Sequence, residues 1–169
     1  VARCAAPTRA SKIYRHTKPQ HQTAAPFMPD SNPPKKLSIV VASGAFEKVH
    51  YALVMATGAA AIGTPVTLFF TMGACPAIME DDGWRTLPSE KADTSATARD
   101  DDFAARGVAT MNELIDSAAE LGITFMVCEM GLRAEGLEDQ PLRKGVDITR
   151  TGVVTFINDA SADGSIIYV

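Results

Sequence analysis

Apolar residues fall along this chain in short solid runs, separated by stretches in which they recur at helical spacing. Residues 37–42 (Leu-Ser-Ile-Val-Val-Ala) and 66–71 (Val-Thr-Leu-Phe-Phe-Thr) are rich in β-branched and aromatic side chains, the pattern of strands buried on both faces. A third run lies within residues 122–131 (Gly-Ile-Thr-Phe-Met-Val-Cys-Glu-Met-Gly) and stops at Cys128, so it predicts a strand with a thiol at its carboxyl end. Residues 145–148 and 165–169 predict two further short strands. Between them, Val49, Ala52, Leu53, Ala56 and Ala60 mark one helix closed by Gly63. Val108, Met111, Leu114, Ile115, Ala118 and Leu121 mark an amphipathic helix closed by Gly122. Residues 132–137 suit a short helix, and residues 152–160 another, with Val153, Phe156 and Ile157 on one side. Five strands with helices between them imply an α/β fold whose sheet is mainly parallel. No internal repeat is visible.

Two stretches break this pattern. Residues 80–102 are polar and irregular and read as a long loop, with Trp84 as a hydrophobic plug and Asp100, Asp101 and Asp102 charging the start of the next helix. Residues 1–34 hold six of the ten prolines and no hydrophobic period, so they read as a disordered head. That head carries Arg3, Arg9, Lys12, Arg15 and Lys18 with no acid before Asp30, which suits a plain tail, a start codon assigned too early, a targeting segment or a partner-binding arm. Residues 35–169 are then the folded domain.

Charge sharpens the division. From residue 35 onward 11 Lys and Arg face 19 Asp and Glu, a body poorly suited to nucleic acid. No apolar run approaches the roughly 18 residues of a membrane span, the stretch 52–61 being too short and alanine-rich. Three cysteines, Cys4, Cys75 and Cys128, without a CxxC pair or metal-ligand spacing, argue against a disulfide framework or zinc site and point to a reducing, cytoplasmic setting.

Candidate chemistry centres on sulfur. In a parallel sheet Cys75, in the loop Met72-Gly73-Ala74-Cys75-Pro76, and Cys128 share the carboxyl rim, where ligands gather. A helix N-terminus after Cys128 favours its thiolate, although a cysteine at a strand end is also an ordinary core residue. Pro76 suits the first position of a helix, which would place Cys75 at a second helix N-terminus; Cys75 is then a resolving partner, a second sulfur site or a bystander. Ser43 and Gly44 form a strand-to-helix turn resembling an anion cradle, without a nucleotide motif. Arg133 is either a neutraliser of anionic sulfur or a solvated surface charge. His16 and His21 lie in the head and His50 in the first helix, so no Cys/His pair is expected.

Residues 41–44, 56–61 and 68–73, followed by 107–108, 119–122, 127–130 and 145–148, resemble in order and spacing the DsrE/DsrF-like family, in the sulfur-relay branch that also bears the peroxiredoxin name. The resemblance spans about residues 35–169. It implies a three-layer α/β/α fold around a five-stranded parallel sheet, assembled as homotrimers or hexamers. It also implies that Cys128 accepts sulfane sulfur as a persulfide from a donor protein and passes it to an acceptor, with no metal or nucleotide cofactor. The backbone of Glu129, Met130 and Gly131 would steady the anionic sulfur, and residues 80–102 would shield it. Gly131-Leu132-Arg133-Ala134 departs from the family pattern, and Cys75 has no counterpart there. Two other readings remain: a non-catalytic assembly or regulatory module, and a thiol peroxidase using Cys128 with Cys75.

Overall fold

The structure, a computed structural model, describes Val1 and residues 34–169. Apart from those two ends, the expected head with Cys4, His16 and His21 lies outside the described residues. All the elements belong to the unit Pro33–Val169.

Five strands, β1 (Leu37–Val41), β2 (Val66–Phe70), β3 (Thr124–Cys128), β4 (Ile148–Thr151) and β5 (Ser165–Tyr168), form one sheet in the order β4-β3-β2-β1-β5. Every pairing is parallel. The order dictates the layers. Steps from β1 to β2 to β3 move one way across the sheet and carry α1 (Phe46–Ala61) and α3 (Met111–Glu120) on one face. The return from β4 to β5 runs the other way, and a right-handed crossover then puts α5 (Val153–Asp159) on the opposite face.

The faces are filled unequally. Ile39, Val41, Leu68, Phe70, Phe125 and Val127 alternate toward α1 and α3 and form the main core. The intervening Phe69, Met126 and Cys128, with Phe156 from α5, make a second, four-residue cluster. Long apolar strand runs reflect burial on both sides of β1, β2 and β3, whereas edge strands β4 and β5 are largely open.

Several boundaries differ from expectation. The loop anticipated over 80–102 contains a 3₁₀ turn (Gly83–Thr86) and most of α2 (Ala96–Ala105). That helix buries only Ala96 and Asp100, so no apolar period announces it, and it is started by the Ser95 hydroxyl accepting from the Ala98 N–H at 3.1 Å. The three aspartates thus lie within a helix. Asp100 nevertheless serves the next one, accepting the Met111 N–H at 2.8 Å. Helix α3 begins at Met111, not Val108, because Thr110 and Glu113 form a reciprocal capping box. Val108 and Leu121 fall outside it and are exposed. Helix α4 (Glu129–Ala134) starts directly after Cys128 rather than at residue 132, and β4 lies three residues later than expected.

Candidate functional site

Strand alternation fixes where the Cys128 sulfur goes. With Phe125 and Val127 turned to the main core, Met126 and Cys128 face the side crossed by α5. Cys128 is the last residue of β3 and the N-cap of α4. It is 3% exposed and packed with Phe69, Met126 and Phe156. The Phe156 ring stacks on Phe69, with centroids 4.7 Å apart and planes at 18°. The cover over the thiol is therefore α5, not residues 80–102. Thr151 is the register partner of Cys128 and is itself 8% exposed.

The rim around this sulfur depends on close backbone approach. A Cβ at Gly131 would lie 2.6 Å from the Met72 nitrogen and 2.7 Å from the Thr71 hydroxyl, so only glycine lets α4 settle against the end of β2. Gly44 and Gly73 do the same between β1 and β2, where a Cβ on Gly44 would meet the Gly73 carbonyl oxygen at 2.8 Å. Glu129 and Met130 turn to solvent.

Cys75 has different surroundings. It lies inside the 3₁₀ segment Met72–Ile78, which runs through Pro76, so neither residue opens a helix. The side chain is fully buried in the main core. Burial, then the charges of Cys128 and Glu135, push its thiol up to about 12. Both cysteines are free thiols.

The remaining candidates resolve into local roles. Ser43 Oγ accepts the Ala45 N–H at 3.3 Å, and the Ser43 N–H donates to the Val169 carbonyl at 3.1 Å. Above that turn the first amide of α1, at Phe46, donates to the Pro88 carbonyl at 2.9 Å. Glu47 beside it accepts from Ser89 and from the Glu90 amide. Burial pushes the Glu47 carboxyl up, but the Glu90 N–H, the Ser89 hydroxyl and Arg99 together hold it below its ordinary range. Arg133 is largely solvated, 3.9 Å from Glu138. His50 Nε2 lies 2.7 Å from the Ala109 carbonyl, with the ring packed against Phe46 and Phe103. Trp84 is a buried plug, as expected, with its indole N–H donating to Asn112 at 2.9 Å.

No family model matches the chain. The chain is similar to YrkE of Bacillus subtilis, an uncharacterized protein, at 27% identity over 158 residues, covering 78% of this chain and 94% of that protein. Among solved structures it is similar to the ychN protein of E. coli, with a TM-score of 0.48, 12% identity, and coverage of 79% of this chain and 99% of that one. Among the described residues no helix is long and apolar enough to cross a membrane, and no group of three metal-ligating side chains converges.

Sequence reasoning missed two parts of the site. Phe156 was expected to share its burial with Val153 and Ile157, yet those two are 47% and 57% exposed. Asp159, at the end of α5, accepts from Lys36 Nζ at 2.7 Å and Thr67 Oγ1 at 2.8 Å, a junction of three segments that no local motif marks.

Proposed function

We propose that this protein is a thiol-dependent sulfur carrier in which Cys128 receives sulfane sulfur from a donor and yields it to an acceptor thiol. The observation that carries the reading is the place of Cys128: at the carboxyl end of an interior strand, on the thinly covered face, beneath one aromatic ring. The resemblance in residues 127–130 supports the same residue. In the step itself, the Cys128 thiolate bonds to the outer sulfur of a donor persulfide while the donor's sulfur–sulfur bond breaks. The donor leaves as a thiolate and Cys128 holds the persulfide. Backbone N–H groups of Glu129, Met130 and Gly131, at the start of α4, are the donors this reading assigns to that anion.

Assembly belongs to this reading. Ile166 and Tyr168 of the edge strand β5 are exposed apolar side chains, and the register of β5 on β1 sets both on the face that α5 crosses. Such a band suits a homotrimer or hexamer, with the sulfur donor and acceptor proteins as further partners.

Burial of both described thiols favours a second reading, a non-catalytic assembly module whose Cys128 is a packing residue. A thiol peroxidase is disfavoured, because Cys75 belongs to the other core and holds its proton up to about pH 12. Intact-mass measurement after incubation with thiosulfate or polysulfide separates the first two. The carrier gains the mass of one sulfur at Cys128, lost in Cys128→Ala; an unmodified wild-type protein supports the module.

A further inference from the structure

Helix α5 lies on its face of the sheet through one buried side chain, Phe156, and one ion pair at its carboxyl end. Phe156 stacks on Phe69 and belongs with Cys128 to the same four-residue buried cluster. At the far end Asp159 Oδ2 accepts from both Lys36 Nζ (2.7 Å) and Thr67 Oγ1 (2.8 Å), and Lys36 also donates to the Asp159 carbonyl at 2.9 Å. The pair is partly withdrawn from water, with side chains 18% and 27% exposed. At the amino end Gly152 joins α5 to β4, and a Cβ built there would meet nothing within 4 Å. The outward residues Val153, Val154 and Ile157 are exposed and, among the described residues, belong to neither buried cluster.

We propose that α5 is a lid over Cys128, hinged at Gly152 and latched by Asp159 on Lys36 and Thr67. Lifting Phe156 from Phe69 is the event that opens the thiol to a sulfur donor or acceptor. The inference rests on the carrier reading and supplies the access it requires. Displacing one ring and one ion pair leaves the sheet and the α1–α3 layer intact, so it is a local opening rather than global unfolding. Cys75, fully buried within the main core, serves as an internal reference.

The test is timed alkylation of the native, full-length protein with iodoacetamide, with each cysteine read separately by peptide mapping. In wild type Cys128 is labelled faster than Cys75. In Asp159→Asn, and independently in Lys36→Gln, the ratio of the two rates rises by about tenfold or more, since a charge-assisted hydrogen bond has been lost from the closed form. Equal labelling of Cys128 and Cys75, or latch variants that accelerate both alike, would overturn the lid. Alkylation of the free thiol reports opening without any sulfur transfer, so a lid that opens on a Cys128 that takes no sulfur counts against the carrier reading alone.

Discussion

What a thiol does depends on what surrounds its sulfur, and the two described thiols of this chain have opposite surroundings. Cys75 is enclosed by the main core, and its proton is retained in the folded state far above its ordinary value of 9.0. The sign of the consequence follows by linkage. The unfolded chain releases this proton near its ordinary value while the folded chain keeps it, so the contribution to stability is complete below pH 9.0 and is lost as pH rises toward 12. Urea unfolding midpoints measured across that window should fall more steeply in wild type than in Cys75→Ala. Parallel slopes would show that Cys75 ionises freely in the folded protein. Cys128, in contrast, is buried on the other face of the sheet in a four-residue cluster with Phe69, Met126 and Phe156.

At the scale of elements, starts and stops follow capping chemistry more closely than hydrophobic period. Apolar spacing alone placed the start of the third helix at Val108. The Thr110 hydroxyl accepting the Glu113 N–H, with Glu113 returning to the Thr110 N–H at 2.7 Å, moves it to Met111. Thr110→Ala should therefore cost about 1 kcal/mol in chemical denaturation, and an unchanged midpoint would deny the cap a role in stability. The same contrast explains what was legible. Strands β1, β2 and β3 were readable because burial on both faces writes a solid apolar run, and Cys128 was readable because it ends one. Helix α2 was not, since it buries only Ala96 and Asp100 and is held by the Ser95 cap, by Phe103 against Phe46 and His50, and by ion pairs of Arg99 with Glu47 and Asp102. The latch on α5 was hidden because Lys36, Thr67 and Asp159 are far apart in sequence and meet only after the sheet has formed.

For the whole molecule, the strand order places a thick helical layer on one face and the single helix α5 on the other. That asymmetry leaves the thinner face with both the covered thiol and exposed apolar side chains. The parallel sheet and its carboxyl rim were expected from the alternation of elements; the unequal cover follows from the return of the chain to the far edge at β5. Whether Cys128 holds and releases sulfur is decided by single-turnover transfer. Protein loaded with radiolabelled sulfane sulfur, freed of excess donor and then given a small acceptor thiol, should deliver its label from Cys128 to that acceptor, while Cys128→Ser retains none to deliver. Label that never becomes bound to Cys128, or that leaves it only when the protein is unfolded, would show that Cys128 is no sulfur carrier.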